Sequence, residues 1–97
     1  MKRVHLIISG DVQGVGYRAW VDQASLGKTR DKQEKSITGW VKNREDGAVE
    51  VVAEGEKKDL EDLIGACHKG PEVAFVEKIQ VEWEKATGEF MGFEVVY

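Results

Sequence analysis

Between Arg3 and Ser9 the chain alternates, with Val4, Leu6 and Ile8 on one side and His5, Ile7 and Ser9 on the other. A period of two is the mark of a strand with one buried face. The period then changes. After a glycine-rich stretch, Tyr17, Trp20, Val21 and Ala24 fall at i, i+3, i+4 and i+7, the spacing of a helical stripe, which puts Arg18 in the first turn of that helix. Gly27 can end it, and Lys28 to Ser36 holds no apolar residue, so that segment reads as a solvated excursion or a polar extension of the helix. Ile37 to Lys42 and Ala48 to Ala53 are strand-like runs joined by a turn around Asp46-Gly47, which predicts a hairpin. Leu60, Leu63, Ile64 and Cys67 return to helical spacing until Gly70-Pro71 stops the element. Two more strands follow, within Val73 to Trp83 and within the short Phe93 to Tyr97.

The order β-α-β-β-α-β with a short fifth strand at the C-terminus is an α+β pattern. It predicts a ferredoxin-like sandwich, two helices on one face of an antiparallel sheet. The 97 residues suit a single domain, 1–97, and no internal repeat is visible. Such a fold hosts enzymes, RNA binders and metal carriers alike, so chemistry must be read from particular residues.

Composition narrows the classes. The net charge of −4 repels polyanions, so neither nucleic acid nor an anionic membrane is an expected partner. No apolar run approaches the roughly 20 residues of a membrane span, and Cys67 is the only cysteine, which suits a reducing compartment and a cytoplasmic location. Trp20, Trp40 and Trp83 supply large apolar units for a core, with Trp20 and Trp40 expected at packing positions. His5 and His68 are isolated and no carboxylates or cysteines group with them at ligand spacing, so no metal site and no cofactor is expected. Cys67 continues an apolar stripe and reads as a core thiol.

The segment Gly10 to Gly16 connects a strand to a helix. Its amides can converge at the positive end of the helix dipole, with Arg18 adding a planar fork suited to phosphate or carboxylate. Two readings stand here, an anion cradle and a plain glycine turn beside a solvent arginine. The nucleotide P-loop is excluded because Tyr17-Arg18 follows Gly16 where lysine and Ser/Thr would be needed, and the G-x-G-x-x-G dinucleotide fingerprint is absent. Asn43, at the end of a strand, is by itself an ordinary turn residue. Gln13 reads as loop support or as a substrate contact, with loop support favoured.

The stretch I8-S-G-D-V-Q-G-V-G-Y-R18, followed by G39-W-V-K-N43-x-x-x-G47-x-V49, resembles the two signature segments of the acylphosphatase family, and G70-P-E-V-A-F-V-E-K-I and T87-G-E-F-M-G-F-E-V resemble its later boundaries and strands. The resemblance implies hydrolysis of acyl phosphates to a carboxylate and inorganic phosphate, without a metal. It implies Arg18 as the phosphoryl-holding arginine, Asn43 as the residue orienting the attacking water, and Gln13, Gly14, Val15, Gly16, Tyr17 and Arg18 as the phosphate-binding segment. A small acyl phosphate would be the only partner and a monomer is expected. The chain departs from the family pattern at Tyr17, where phenylalanine is usual, and in a longer connection between Arg18 and Trp40, with the surplus within Gly27 to Ser36. The alternative kept beside hydrolysis is a non-catalytic module that binds phosphate or an acyl phosphate. RNA binding is disfavoured by charge and by the lack of paired aromatics.

Overall fold

Strand β1 (Lys2–Asp11) turns Val4, Leu6 and Ile8 inward, and all three are fully buried. Around it the computed structural model, which describes residues 1–26 and 37–97, arranges α1 (Tyr17–Ala24), β2 (Thr38–Asn43), β3 (Val49–Gly55), α2 (Lys57–Lys69), β4 (Phe75–Lys85) and β5 (Phe93–Val96). The expectation for Lys28 to Ser36 lies outside the described residues. The five strands form one sheet in the order β4-β1-β3-β2-β5. Val49, Val51 and Ala53 of β3 and Val41 of β2 share the buried face with Val4, Leu6 and Ile8, and Val21, Leu60, Leu63 and Cys67 of the two helices pack down on it. This is the ferredoxin-like arrangement that the element order predicts.

Two features differ from the sequence reading. The first is β5. The contacts β1–β3, β1–β4 and β2–β3 are antiparallel, but β5 lies parallel to β2, with Gly39 opposite Phe93 and Lys42 opposite Val96, so the sheet is mixed. The cause is the path of the chain. Strand β4 ends at one edge of the sheet and β5 begins at the other, so residues 86–92 cross four strand spacings, about 19 Å. Seven extended residues reach about 23–25 Å. A strap of that length crosses one end of the sheet and enters β5 in the direction of β2.

The second is the tryptophans, none of which joins the buried core. Gly39 and Val41 take the inward positions of β2, so strict alternation turns Trp40 to the opposite face, where it is half-buried beneath Lys42 Nζ, 5.0 Å from its ring centroid. Trp20 is half-buried between the helices, its indole donating to Ala66 O at 2.8 Å, and Trp83 is 42% exposed on β4. The largest core side chain is Tyr17.

The strap is fastened strand by strand. Glu54, buried on the sheet face away from the helices, accepts from Thr87 N (2.9 Å), Gly88 N (3.0 Å) and Arg3 Nε (2.8 Å). Arg3 also pairs with Glu89 and lies over the ring of Phe90, 5.1 Å to its centroid. Burial would raise the carboxyl pKa of Glu54, but the amides of Thr87 and Gly88, Arg3 and the Thr87 hydroxyl outweigh it and hold the group down at about 2. At the far end Gly39 N donates to Gly92 O at 2.9 Å. Gly39 has φ +138°, and a Cβ there would stand 1.9 Å from Val52 O, so only glycine lets β2 sit this close to β3.

Candidate active site

Opposite the strap, the chain leaves β1, makes a tight loop and starts α1. Val12 is buried and Val15 packs against the core, which anchors the loop, while Gly14 (φ +74°) and Gly16 (φ +80°) take left-handed conformations with open space around them. Gly16 is the N-cap of α1 and offers no side chain to its free amides, and the first turn holds no acidic residue. The first intrahelical bond is Trp20 N to Gly16 O at 3.0 Å, so the amides from Gly16 to Ala19 have no partner within the helix. Serine or aspartate at position 16 would satisfy them from inside. Glycine leaves them to an external anion at the positive end of the helix.

Arg18 stands in this turn, half-buried. Its Nη1 donates to Val96 O at 3.1 Å, and its guanidinium carbon lies 4.5 Å from the ring centroid of Tyr97. One donor of the fork and one face of the plane are thereby engaged, which fixes the orientation of the group and leaves other donors to point elsewhere. The register places this arginine. Val96 is opposite Lys42, and Asn43 is the next residue along β2, so Arg18 is held at the strand end where Asn43 sits.

Asn43 is half-buried, and its Oδ1 is fully shielded without a hydrogen-bond partner. A buried acceptor left open is costly and calls for a donor. The turn after it is rigid: Arg44 N donates to Ala48 O (2.8 Å), and Asp46 Oδ1 accepts from Ala48 N (3.0 Å) and Arg44 Nε (3.3 Å). Gln13 joins this turn to the glycine loop, donating from Nε2 to Arg44 O (2.8 Å) and Ala48 O (2.9 Å). Both amide hydrogens of Gln13 are thus taken by backbone carbonyls of the turn, so the side chain couples the loop to the strand end that carries Asn43.

The hydroxyl of Tyr17 points down, away from the loop, and donates to Cys67 O at 2.6 Å in the last turn of α2. Burial is the main cause that raises its pKa, so it stays a neutral donor. Cys67 is itself buried, its thiol pushed up to about 12 by burial despite the Tyr17 contact, and so is unreactive. His5 sits on the open sheet face with its Nε2 2.6 Å from Glu50 Oε2, remote from the loop in register, and His68 is exposed. Among the described residues no three His, Cys, Asp or Glu side chains converge. The sequence reading missed Val96 and Tyr97 as supports of Arg18, because their approach depends on the parallel docking of β5, and no local motif signals it.

A family model described as Acylphosphatase matches residues 4–95. The chain belongs to the acylphosphatase family. It is 43% identical to an acylphosphatase of Pelotomaculum thermopropionicum over 98% of this chain and 96% of that one. It is 45% identical to an acylphosphatase of Thermococcus kodakarensis over 99% of both. The crystal structure of acylphosphatase from Bacillus subtilis superposes with a TM-score of 0.87 at 33% identity, covering both chains completely. No helix among the described residues is long and apolar enough to cross a membrane.

Proposed function

We propose that this member of the acylphosphatase family hydrolyses acyl phosphates by direct attack of a water oriented by Asn43 on a phosphoryl group held by Arg18 and the amides of residues 14–18. The observation that carries the reading is one juxtaposition: Arg18, fixed by Val96, shares a strand end with the unpartnered, shielded Oδ1 of Asn43. Arginine and helix amides are donors only, so they bind the phosphoryl oxygens. Asn43 Oδ1 is an acceptor, so it takes a hydrogen of water and turns a lone pair of the water oxygen toward phosphorus.

The water oxygen forms the new bond to phosphorus as the bond to the acyl oxygen breaks, and that oxygen leaves with its electron pair as a carboxylate. The proton of the attacking water passes to a phosphoryl oxygen of the substrate, giving inorganic phosphate. A carboxylate is a weak base and departs without a general acid, so positioning and charge stabilisation suffice. The protein's own cations and amides supply that charge, and the mechanism calls on no metal or cofactor. A lone buried thiol suits a reducing compartment, and we place the reaction in the cytoplasm.

The test is release of carboxylate from benzoyl phosphate in the presence of EDTA. Turnover is expected to persist with EDTA and to change little between about pH 5 and pH 7, because no group near neutrality acts as base. A steep histidine-like profile, or loss of turnover with EDTA, would overturn the mechanism. Phosphate binding without turnover would leave only a sensor built on the same cradle.

A further inference from the structure

Strand β1 pairs with β3 only as far as Ile8, which stands opposite Val49. From Ser9 to Asp11 it pairs with β4 alone, on the side away from β2, with a register shift between Ser9 and Gly10. Asn43 pairs with the same Val49 from the opposite edge of β3. The chain thus enters the glycine loop with no strand ladder to fix its distance from Asn43. Among the described residues, the only hydrogen bonds that join residues 12–16 to residues 43–48 are the two from Gln13 Nε2, to Arg44 O (2.8 Å) and Ala48 O (2.9 Å).

We propose that Gln13 is a positioning residue: through this clamp it sets the distance between the phosphoryl group, held by Arg18 and the amides of residues 14–18, and the water on Asn43. The inference rests on the hydrolytic reading above and deepens it. Gln13 immediately precedes Gly14, the first amide of the cradle, and Arg44 immediately follows Asn43. Its two bonds fall on the first and last residues of the turn, so the strand end and the loop move as one body.

The clamp is not needed to satisfy the turn. Ala48 O also accepts from Arg44 N (2.8 Å) and Arg44 O from Gly47 N (3.3 Å), so both carbonyls keep a partner without Gln13. What Gln13 alone supplies is the link. Attack on phosphorus needs the water oxygen about 3–3.5 Å away and in line with the leaving oxygen, and a misplacement of about 1 Å costs about 10²-fold in rate. Binding of phosphate tolerates more, because Arg18 keeps its own hold on Val96 O (3.1 Å) and the free amides stay with the start of α1. Loss of the clamp should therefore appear in kcat and not in affinity for phosphate.

The test is hydrolysis of benzoyl phosphate, with inorganic phosphate as competitive inhibitor, by the wild type, Gln13→Met, Asn43→Ala and the double variant. Gln13→Met keeps the length of the side chain and removes both donors. It should lower kcat about 10- to 30-fold, leave the phosphate inhibition constant within about threefold of wild type and barely move the urea midpoint. In the Asn43→Ala background the same substitution should cost less than about threefold, because the water that it would misplace is no longer held. Gln13→Asn, which withdraws the amide by one methylene, should repeat the pattern. Turnover near wild type in both Gln13 variants, or loss of the fold in both, would overturn the inference and leave the clamp a structural support. A fully additive loss in the double variant, or a phosphate inhibition constant raised about tenfold or more, would overturn it by moving the action of Gln13 to the phosphoryl group. A wild type without turnover would overturn the hydrolytic reading itself, and this inference with it.

Discussion

The two ends of the sheet handle polar groups in opposite ways. At the strap end, Glu54 is buried and accepts from Thr87, Gly88 and Arg3, and Arg3 in turn holds Glu89. At the loop end, the N-cap of α1 is a glycine without a capping side chain, and the buried Oδ1 of Asn43 has no partner. The same chain closes its hydrogen bonds at one end and leaves them open at the other. Satisfied buried groups contribute stability, whereas open donors and acceptors cost stability and are ready for a substrate. The ends should therefore respond differently to mutation: the loop end through turnover, the strap end through folding.

The largest expected effect is at Arg18. Arg18→Ala should lower kcat for benzoyl phosphate about 10²- to 10³-fold, the scale of removing one preorganised donor, while thermal unfolding stays near wild type. Turnover close to wild type would remove the arginine from the mechanism. Asn43→Ala sharpens the contrast, because deleting an unsatisfied acceptor should cost about 10²-fold in kcat and less than about 0.5 kcal/mol in stability by urea unfolding. If that variant unfolded far more easily and turned over normally, the open acceptor would belong to the fold instead of the chemistry.

Glu54 is the converse. Glu54→Gln should destabilise the chain by roughly 2–3 kcal/mol, since a buried charged acceptor loses its match to Arg3 and the strap amides. Its pH dependence has a definite sign. The folded pKa of about 2 lies below the ordinary carboxylate value of 4.5, so the stabilisation is complete above the unfolded value and is lost as pH falls from about 4.5 toward 2. The stability of Glu54→Gln should fall less over that window, which unfolding curves at stepped pH would show.

How much of this was legible depends on the range of each signal. The alternation of Val4, Leu6 and Ile8 and the helical stripe from Tyr17 to Ala24 are local, and both elements stand where the pattern puts them. The glycine loop and Asn43 were visible as motifs, but motifs alone left a plain turn as open as a cradle. What supports the proposed cradle over a plain turn is the uncapped helix start and the unpartnered Oδ1, which are facts of packing. The core role expected of Trp40 failed because Gly39 has no side chain to reveal that it takes the inward position. The parallel docking of β5 was invisible, since it follows from a strap fastened by Arg3, Glu54 and Gly39, three residues that no local pattern groups together.

Tyr17 tests the comparison from beneath the loop. Its hydroxyl is buried and donates to Cys67 O, so Tyr17→Phe should cost about 1 kcal/mol in stability and leave kcat within about twofold, as the ring itself still supports the loop. A large fall in turnover would mean that the hydroxyl, and not the amide backbone above it, tunes the cradle.

The smallest effect is expected where the two ends meet. The strap delivers β5 to β2, and β5 brings Val96 O and the Tyr97 ring to Arg18, so the closed end of the sheet orients the arginine of the open end. Tyr97→Ala removes the cation–π contact but keeps the amide carbonyl of Val96. At an exposed ring that contact contributes about 0.5–1 kcal/mol, so kcat should fall only about 2- to 5-fold with little change in unfolding. If Tyr97 merely covered surface, the truncation would leave kcat unchanged. If the ring were the main restraint on the guanidinium, the loss would approach that of Arg18→Ala, and orientation of the arginine would rest on its last contact instead of on the strand that carries it.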